Sequence, residues 1–159
     1  MQNIYQILDD LGILYKKHEH RAIFTCEEAE EVYADIPGGH SKNLFIRNKK
    51  GSRHYLVIIE SHKTVDLDSL RETLNESKLG FASPERLRKY LDVTPGSVTP
   101  FGLIYDTEKA VTVIVDSDLM KHNILHYHPG VNTATLEIAR DDFKSFLDWT
   151  GNTVRFVAL

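Results

Sequence analysis

"KNLFIRNKKGSRHYLVIIE", residues 42–60, holds two runs rich in β-branched and aromatic residues around a polar Lys49-Lys50-Gly51-Ser52 segment, a pattern that predicts a β-hairpin. Tyr55 to Ile59 has no polar residue among its apolar ones, so the second strand is expected at the centre of a sheet. Upstream, Ile4, Ile7, Leu8 and Leu11 recur at helical spacing before Gly12, which predicts a short amphipathic first helix. Residues 13–20, "ILYKKHEH", read as extended. Thr25 followed by Glu28 is a capping-box pattern, so a second helix is expected from about Cys26 to Ala34, ended by "IPGGH" at 36–40.

Downstream, "VDLDSLRETLNES" (65–77) predicts a helix with Leu67, Leu70 and Leu74 inward. "SPERLRKYL" (83–91) predicts another, with Ser83 as N-cap and Pro84 at the first position. "DVTPGSVTPFG" (92–102) is too irregular for either element and stands out as a loop. "AVTVIVD" (110–116) is a buried strand and "SDLMKHN" (117–123) a helical turn. "ILHYH" and "NTATLEI" are expected to pair across Pro129-Gly130, and Asp141 to Trp149 forms a helix closed by Gly151 before a terminal strand, "TVRFVAL". Strand pairs interleaved with helices, without regular βαβ repetition, indicate an α+β fold: a mixed sheet with helices packed on it.

The chain has 159 residues, 42% of them hydrophobic, which suits one domain spanning 1–159 with a real core. No apolar run approaches ~20 residues, and an acidic centre in the first segment is unlike a signal peptide, so a soluble, cytoplasmic protein is expected, away from membranes. Cys26 is the single cysteine and excludes an intramolecular disulfide; the acids of "FTCEEAEE" around it favour a small helix residue over a nucleophile. A net charge of −4, from 19 basic and 23 acidic residues, argues against tracking a long nucleic acid such as DNA. It leaves room for contact with a small part of one.

Three features carry candidate chemistry. Lys42 stands at the start of an apolar strand. On spacing alone an ordinary edge lysine is the favoured reading, and an ammonium that binds phosphate or supports a carbonyl oxygen is the functional one. "PGSVTP" (95–100) is a loop pinned by two prolines that can present backbone groups to a ligand at little entropic cost. His126 and His128, two apart on a strand, would share a face, but zinc wants a third protein ligand and no carboxylate or thiol nearby supplies one. A metal-free pocket wall is the better reading of the pair, with Asn132 and Thr133 offering small polar groups beside it.

Together and in this order, "HRAIFTCEEA", "KNLFIRNKKG", "YLVII", "LGFASPERL", "PGSVTPFGLIYD" and "HPGVNTATLEI" resemble the YbaK/prolyl-tRNA-synthetase-associated domains, and most of all their freestanding prolyl-tRNA editing branch. The resemblance runs from about residue 15 to 150. It implies a mixed, partly barrel-like sheet ringed by helices, and hydrolysis of the ester joining a wrong amino acid to tRNA, with alanyl-tRNA(Pro) as the expected substrate. Lys42 matches the family's essential lysine before Asn43, Gly96 and Pro100 the ends of its G-x-x-x-P loop, and His128 the histidine of its H-P-x-x-N-T segment, with Gly130 where a larger apolar residue is usual. The implied site is then catalytic Lys42, with Asn43, Gly96, Ser97, Val98, Thr99, Pro100 and Gly102 around the ester, and His128, Asn132, Thr133, Phe24 and Thr25 shaping the amino-acid recess.

An activated ester needs a positioned water and a stabilised oxyanion, so neither metal nor cofactor is implied. The implied partners are the acceptor end of mischarged tRNA(Pro) and a prolyl-tRNA synthetase. Three readings compete: a deacylase for another mischarged tRNA, carrying Cys, Ser or Thr, as other members of the superfamily clear; a module that holds tRNA or synthetase without hydrolysis; and a metal hydrolase built on His126 and His128.

Overall fold

The computed structural model describes residues 3–36 and 38–159. In chain order the elements are α1 (Ile4–Asp10), β1 (Tyr15–Glu19), α2 (Cys26–Tyr33), β2 (Gly39–Asn48), β3 (His54–Glu60), α3 (Leu67–Thr73), β4 (Leu79–Phe81), α4 (Pro84–Leu91), β5 (Val111–Asp116), β6 (Ile124–Tyr127), β7 (Ala134–Ala139), α5 (Arg140–Thr150) and β8 (Val154–Val157). The Pro37 part of the expected α2 stop lies outside the described residues, as does the Cys26 side chain. Among the described residues no helix is long and apolar enough to cross a membrane.

The hairpin of β2 and β3 is the middle of one mixed sheet ordered β1-β7-β6-β2-β3-β5-β8, with β4 also on β2. The β2–β6, β3–β5 and β5–β8 pairs are parallel and the rest antiparallel. Side chains alternate along β3, so Leu56 and Ile58 enter one core while Tyr55, Val57 and Ile59 enter another on the opposite face. That double burial is why its sequence is apolar without alternation.

The larger core gathers Ile7 and Leu8 of α1, Leu91 of α4, and Phe143 and Phe146 of α5 against both halves of the sheet, including Leu125, Leu136 and Ile138. The two ends of the sheet do not pair among the described residues, so the barrel-like expectation survives only as two halves that enclose one core. The smaller core is closed by Leu70 of α3 and by Leu74, which caps that helix, with Leu67 packed at its margin. Caps follow the expected residues: Thr25 accepts from the Glu28 N–H and Ser83 from the Arg86 N–H.

Four boundaries differ from the sequence expectation. β2 starts at Gly39, which puts Lys42 inside a strand rather than at its beginning. β4 was not foreseen, because three residues are too few to show a period. Pro100–Tyr105 is a 3-10 helix, started by Thr99, where a continuous loop was expected. β6 ends at Tyr127, so a longer connection replaces the tight Pro129-Gly130 hairpin and His128 falls outside the strand.

A buried carboxylate locks α5 and the sheet to the 3-10 helix. Asp106, 4% exposed, accepts from the N–H groups of Ala110 and Val111 and from Asn152 Nδ2. Asp106→Ala would strand these donors, and a loss of roughly 2–4 kcal/mol in urea unfolding is expected. An unchanged midpoint would show that water replaces the carboxylate.

Candidate active site

The site begins with a gap in strand pairing. β2 pairs with β6 at Gly39 and His40 and with β4 at Ile46 to Asn48, a contact that the Ala82 N–H extends by donating to the Phe45 carbonyl, so residues 41–44 pair only with β3 among the described residues. A cleft of about 430 Å³ opens along that free edge, within the range of small-molecule sites. Ser41 to Phe45 form its floor, Pro95, Gly96, Val98 and His128 one wall, and Phe81, Ala82 and Leu87 the other.

The continuous β2–β3 register places the side chains of Lys42, Leu44 and Ile46 on one face and those of Asn43 and Phe45 on the other. Lys42 is half-buried and has no hydrogen-bond or ion-pair partner among the described residues. On one side β3 lies directly beside it, with Lys42 opposite Ile59, and on the other side β2 borders the cleft. An ammonium so placed is available to a ligand anion or a developing oxyanion.

The loop wall is built by its own turn chemistry. Pro95 and Gly96 are the central residues of a turn closed by the Ser97 N–H donating to Thr94 O at 3.0 Å, and Gly96 takes φ +85°, where a side chain is strained. The N–H groups of Gly96 and Val98 take no part in the bonds that close this turn.

The Val98 carbonyl holds the loop to the sheet. It accepts from Asn43 Nδ2 at 3.1 Å and from His128 Nε2 at 2.9 Å. The Gly130 N–H donates to His128 Nδ1, so the hydrogen bonds assign His128 as the neutral tautomer with its proton on Nε2. Burial lowers the His128 pKa further, while the bond to Val98 opposes the shift and His20 adds to it. Thr99 Oγ1 also donates to the His128 carbonyl at 2.7 Å. With both ring nitrogens committed, His128 acts here as a strut for the loop.

Lys42, Asn43, Gly96, Val98 and His128 therefore converge on one cleft. The other expected residues lie away from its lining. Thr25 caps α2, Phe24 is 79% exposed, and Asn132 Nδ2 donates to Ile23 O while Thr133 O accepts the His20 N–H. Those contacts lace the 20–25 segment to the β6–β7 connection. Thr99 and Pro100 are buried at the start of the 3-10 helix, Ser97 closes the turn, and Gly102 packs so tightly that a Cβ there would meet Leu91 O at 2.9 Å. Phe81, Ala82 and Leu87 were missed as lining residues; they lie in "LGFASPERL", which has no chemical motif of its own.

The two histidines serve different neighbourhoods. His126, 3% exposed, packs edge-on against His40 with ring centroids 3.9 Å apart and against Tyr33. Burial first, then the nearby His40 and His18, push its pKa down to about 3. Among the described residues no three His, Cys, Asp or Glu side chains are grouped to hold a metal ion.

A pH dependence of stability follows. Burial also pushes His54 down to about 4, with Arg86 and Lys89 adding to it. Below the unfolded value of about 6.5 the unfolded chain binds protons that these folded histidines refuse. Stability is thus fully present above pH ~6.5 and is lost progressively toward pH 4 and below. Thermal midpoints measured from pH 7.5 to 5 are expected to fall, and a flat profile would contradict the burial argument.

Residues 20–146 match the family model described as the aminoacyl-tRNA editing domain. The prolyl-tRNA editing protein ProX of Acetoanaerobium sticklandii is 36% identical over 158 residues, covering 99% of this chain and 96% of its own. Prolyl-tRNA synthetase associated domain-containing protein 1 of Danio rerio is 36% identical over 154 residues, covering 96% of this chain and 83% of its own. A solved structure described as that of a candidate trans-editing enzyme for prolyl tRNA synthetase shares the fold, with a TM-score of 0.68 at 24% identity over 91% of this chain and 87% of its own.

Proposed function

Because the chain belongs to the aminoacyl-tRNA editing domain family, we propose that it is an aminoacyl-tRNA hydrolase that clears Ala-tRNA(Pro) in trans. The observation that carries this reading is that Lys42, without a hydrogen-bond or ion-pair partner among the described residues, lines the same cleft of nucleoside size as the Gly96–Val98 loop strutted by Asn43 and His128. The name of the ProX relative supports the prolyl-tRNA part of it.

The chemistry asks little of the protein. Water attacks the ester carbonyl carbon, the bond to the ribose oxygen breaks, and a proton reaches that oxygen, aided by the neighbouring ribose hydroxyl of the substrate. Lys42 supports the negative charge on the carbonyl oxygen or holds the terminal phosphate, and the Gly96 and Val98 N–H groups, which the turn does not use, complete the electrostatic frame. Neither a protein nucleophile nor a metal has a step in this scheme. His128 and Asn43 act by fixing the loop, since a displaced loop would misplace the water.

Selectivity runs in the favourable direction: a recess sized for alanine rejects the larger proline by sterics. Contact with an acceptor end needs few phosphates, so a net charge of −4 is compatible with it. In this reading the protein works in the cytoplasm, and a prolyl-tRNA synthetase is the partner that would release its substrate; the Danio rerio relative's name supports that association.

A deacylation panel tests it. Ala-tRNA(Pro) is expected to be hydrolysed well above the uncatalysed rate, Pro-tRNA(Pro) to be spared, and chelator to have no effect. Binding of tRNA with no change in deacylation would instead favour the non-catalytic module. Loss of activity in chelator would restore the metal reading.

A further inference from the structure

The wall of the cleft opposite the loop is aromatic and turned toward solvent. Phe81 lines the cleft yet remains 62% exposed at the end of β4. A single exposed ring is ordinary on a protein surface, and what marks this one is its place in the lining of the cleft.

Its placement is specified by pairing. Phe81 is the direct partner of Ile46, so its side chain leaves the sheet on the face that also carries Leu44 and Lys42. That face presents an ammonium, a partly exposed leucine and an aromatic ring in order along the cleft. Lys42 and Ile46 are four residues apart on β2, about 13 Å of strand at ~3.3 Å per residue. A lysine side chain and a nucleoside esterified at its ribose together fill such a gap.

The charge around the ring indicates what kind of molecule it receives. Beyond Phe81, Arg47, Lys49 and Lys78 line a second depression beside Gly80 of the same strand. An apolar peptide would meet three cations there, whereas a nucleic-acid strand brings phosphates to them and bases to the ring.

We propose that Phe81 is the stacking platform for the terminal nucleobase of the tRNA acceptor end, setting the aminoacyl ribose over Leu44 with its ester at Lys42. Phe81 is a positioning residue, because no bond to it forms or breaks. The assignment rests on the deacylase reading and adds a base subsite to it.

Phe81→Leu, which keeps an apolar group, and Phe81→Trp, which keeps a ring, separate stacking from plain hydrophobicity. With Ala-tRNA(Pro), Phe81→Leu is expected to lower kcat/KM about tenfold or more, mainly through KM, and Phe81→Trp to stay close to the parent. A cytidine-cytidine-adenosine trinucleotide, titrated calorimetrically, is expected to bind the parent and Phe81→Trp and to bind Phe81→Leu about tenfold more weakly. Parental kcat/KM and trinucleotide affinity in Phe81→Leu would overturn the platform, as would a loss confined to kcat or one that Phe81→Trp does not rescue. If the parent hydrolyses no mischarged tRNA, the deacylase reading fails by itself, and ring-dependent trinucleotide binding still decides the subsite.

Discussion

Lys42→Ala is expected to lower kcat for Ala-tRNA(Pro) deacylation by about a hundredfold to a thousandfold, the range seen when one group facing a developing oxyanion is removed. The fold gives no reason for a compensating structural loss. Lys42 makes no hydrogen bond or ion pair among the described residues, and its neighbours in β2 stay paired to β3. Thermal stability should therefore match the parent's. Lys42→Arg is not expected to restore the rate, since a planar fork on a longer stem cannot place a compact charge at the same point. Single-turnover deacylation with saturating protein is the measurement. Parental turnover by Lys42→Ala would remove the lysine from the mechanism and return it to the role of a strand residue.

The second large effect concerns the strut of the loop. Asn43, within the gap in β2 pairing, and His128, just after β6, both donate to the Val98 carbonyl. Removing either leaves the loop with half of its side-chain tether, and a shift of about 1 Å at a reacting centre can cost on the order of a hundredfold. His128→Ala is therefore expected to lose up to about a hundredfold in kcat, and Asn43→Ala somewhat less because its bond is longer. Because both act on one acceptor, the double variant should lose little more than the worse single variant. His128→Gln, which keeps a donor, should recover part of the rate. Fully multiplicative losses would show that the two residues act independently, with His128 touching substrate directly.

The element pattern was legible because its causes are local. Periodicity in Ile4, Ile7 and Leu8, the caps Thr25 and Ser83, and the unbroken apolar run of β3 each reflect one segment's own burial and hydrogen bonding. Where local signal was thin the reading slipped, as with three-residue β4 and with His128, which an extrapolated strand carried one residue too far.

The site divides along the same line. Lys42, Asn43, Gly96 and His128 were marked by motifs, but the sequence could not say that Gly102 is wedged against Leu91 or that Asn132 is spent on Ile23. The motif set His128 apart from His126, but only the structure shows His126 buried against His40 and His128 bound to Val98. By itself the sequence determined the longer strands and helices, though neither β4 nor the 3-10 helix at Pro100–Tyr105, that one strand is buried on both faces, and the family. The tertiary structure alone decided where the cleft is, because the cleft is a gap between two partners of β2, and those partners, β4 and β6, come from segments far apart in the chain. Long-range pairing also turned Phe81 onto the face of Lys42, and no local pattern records it.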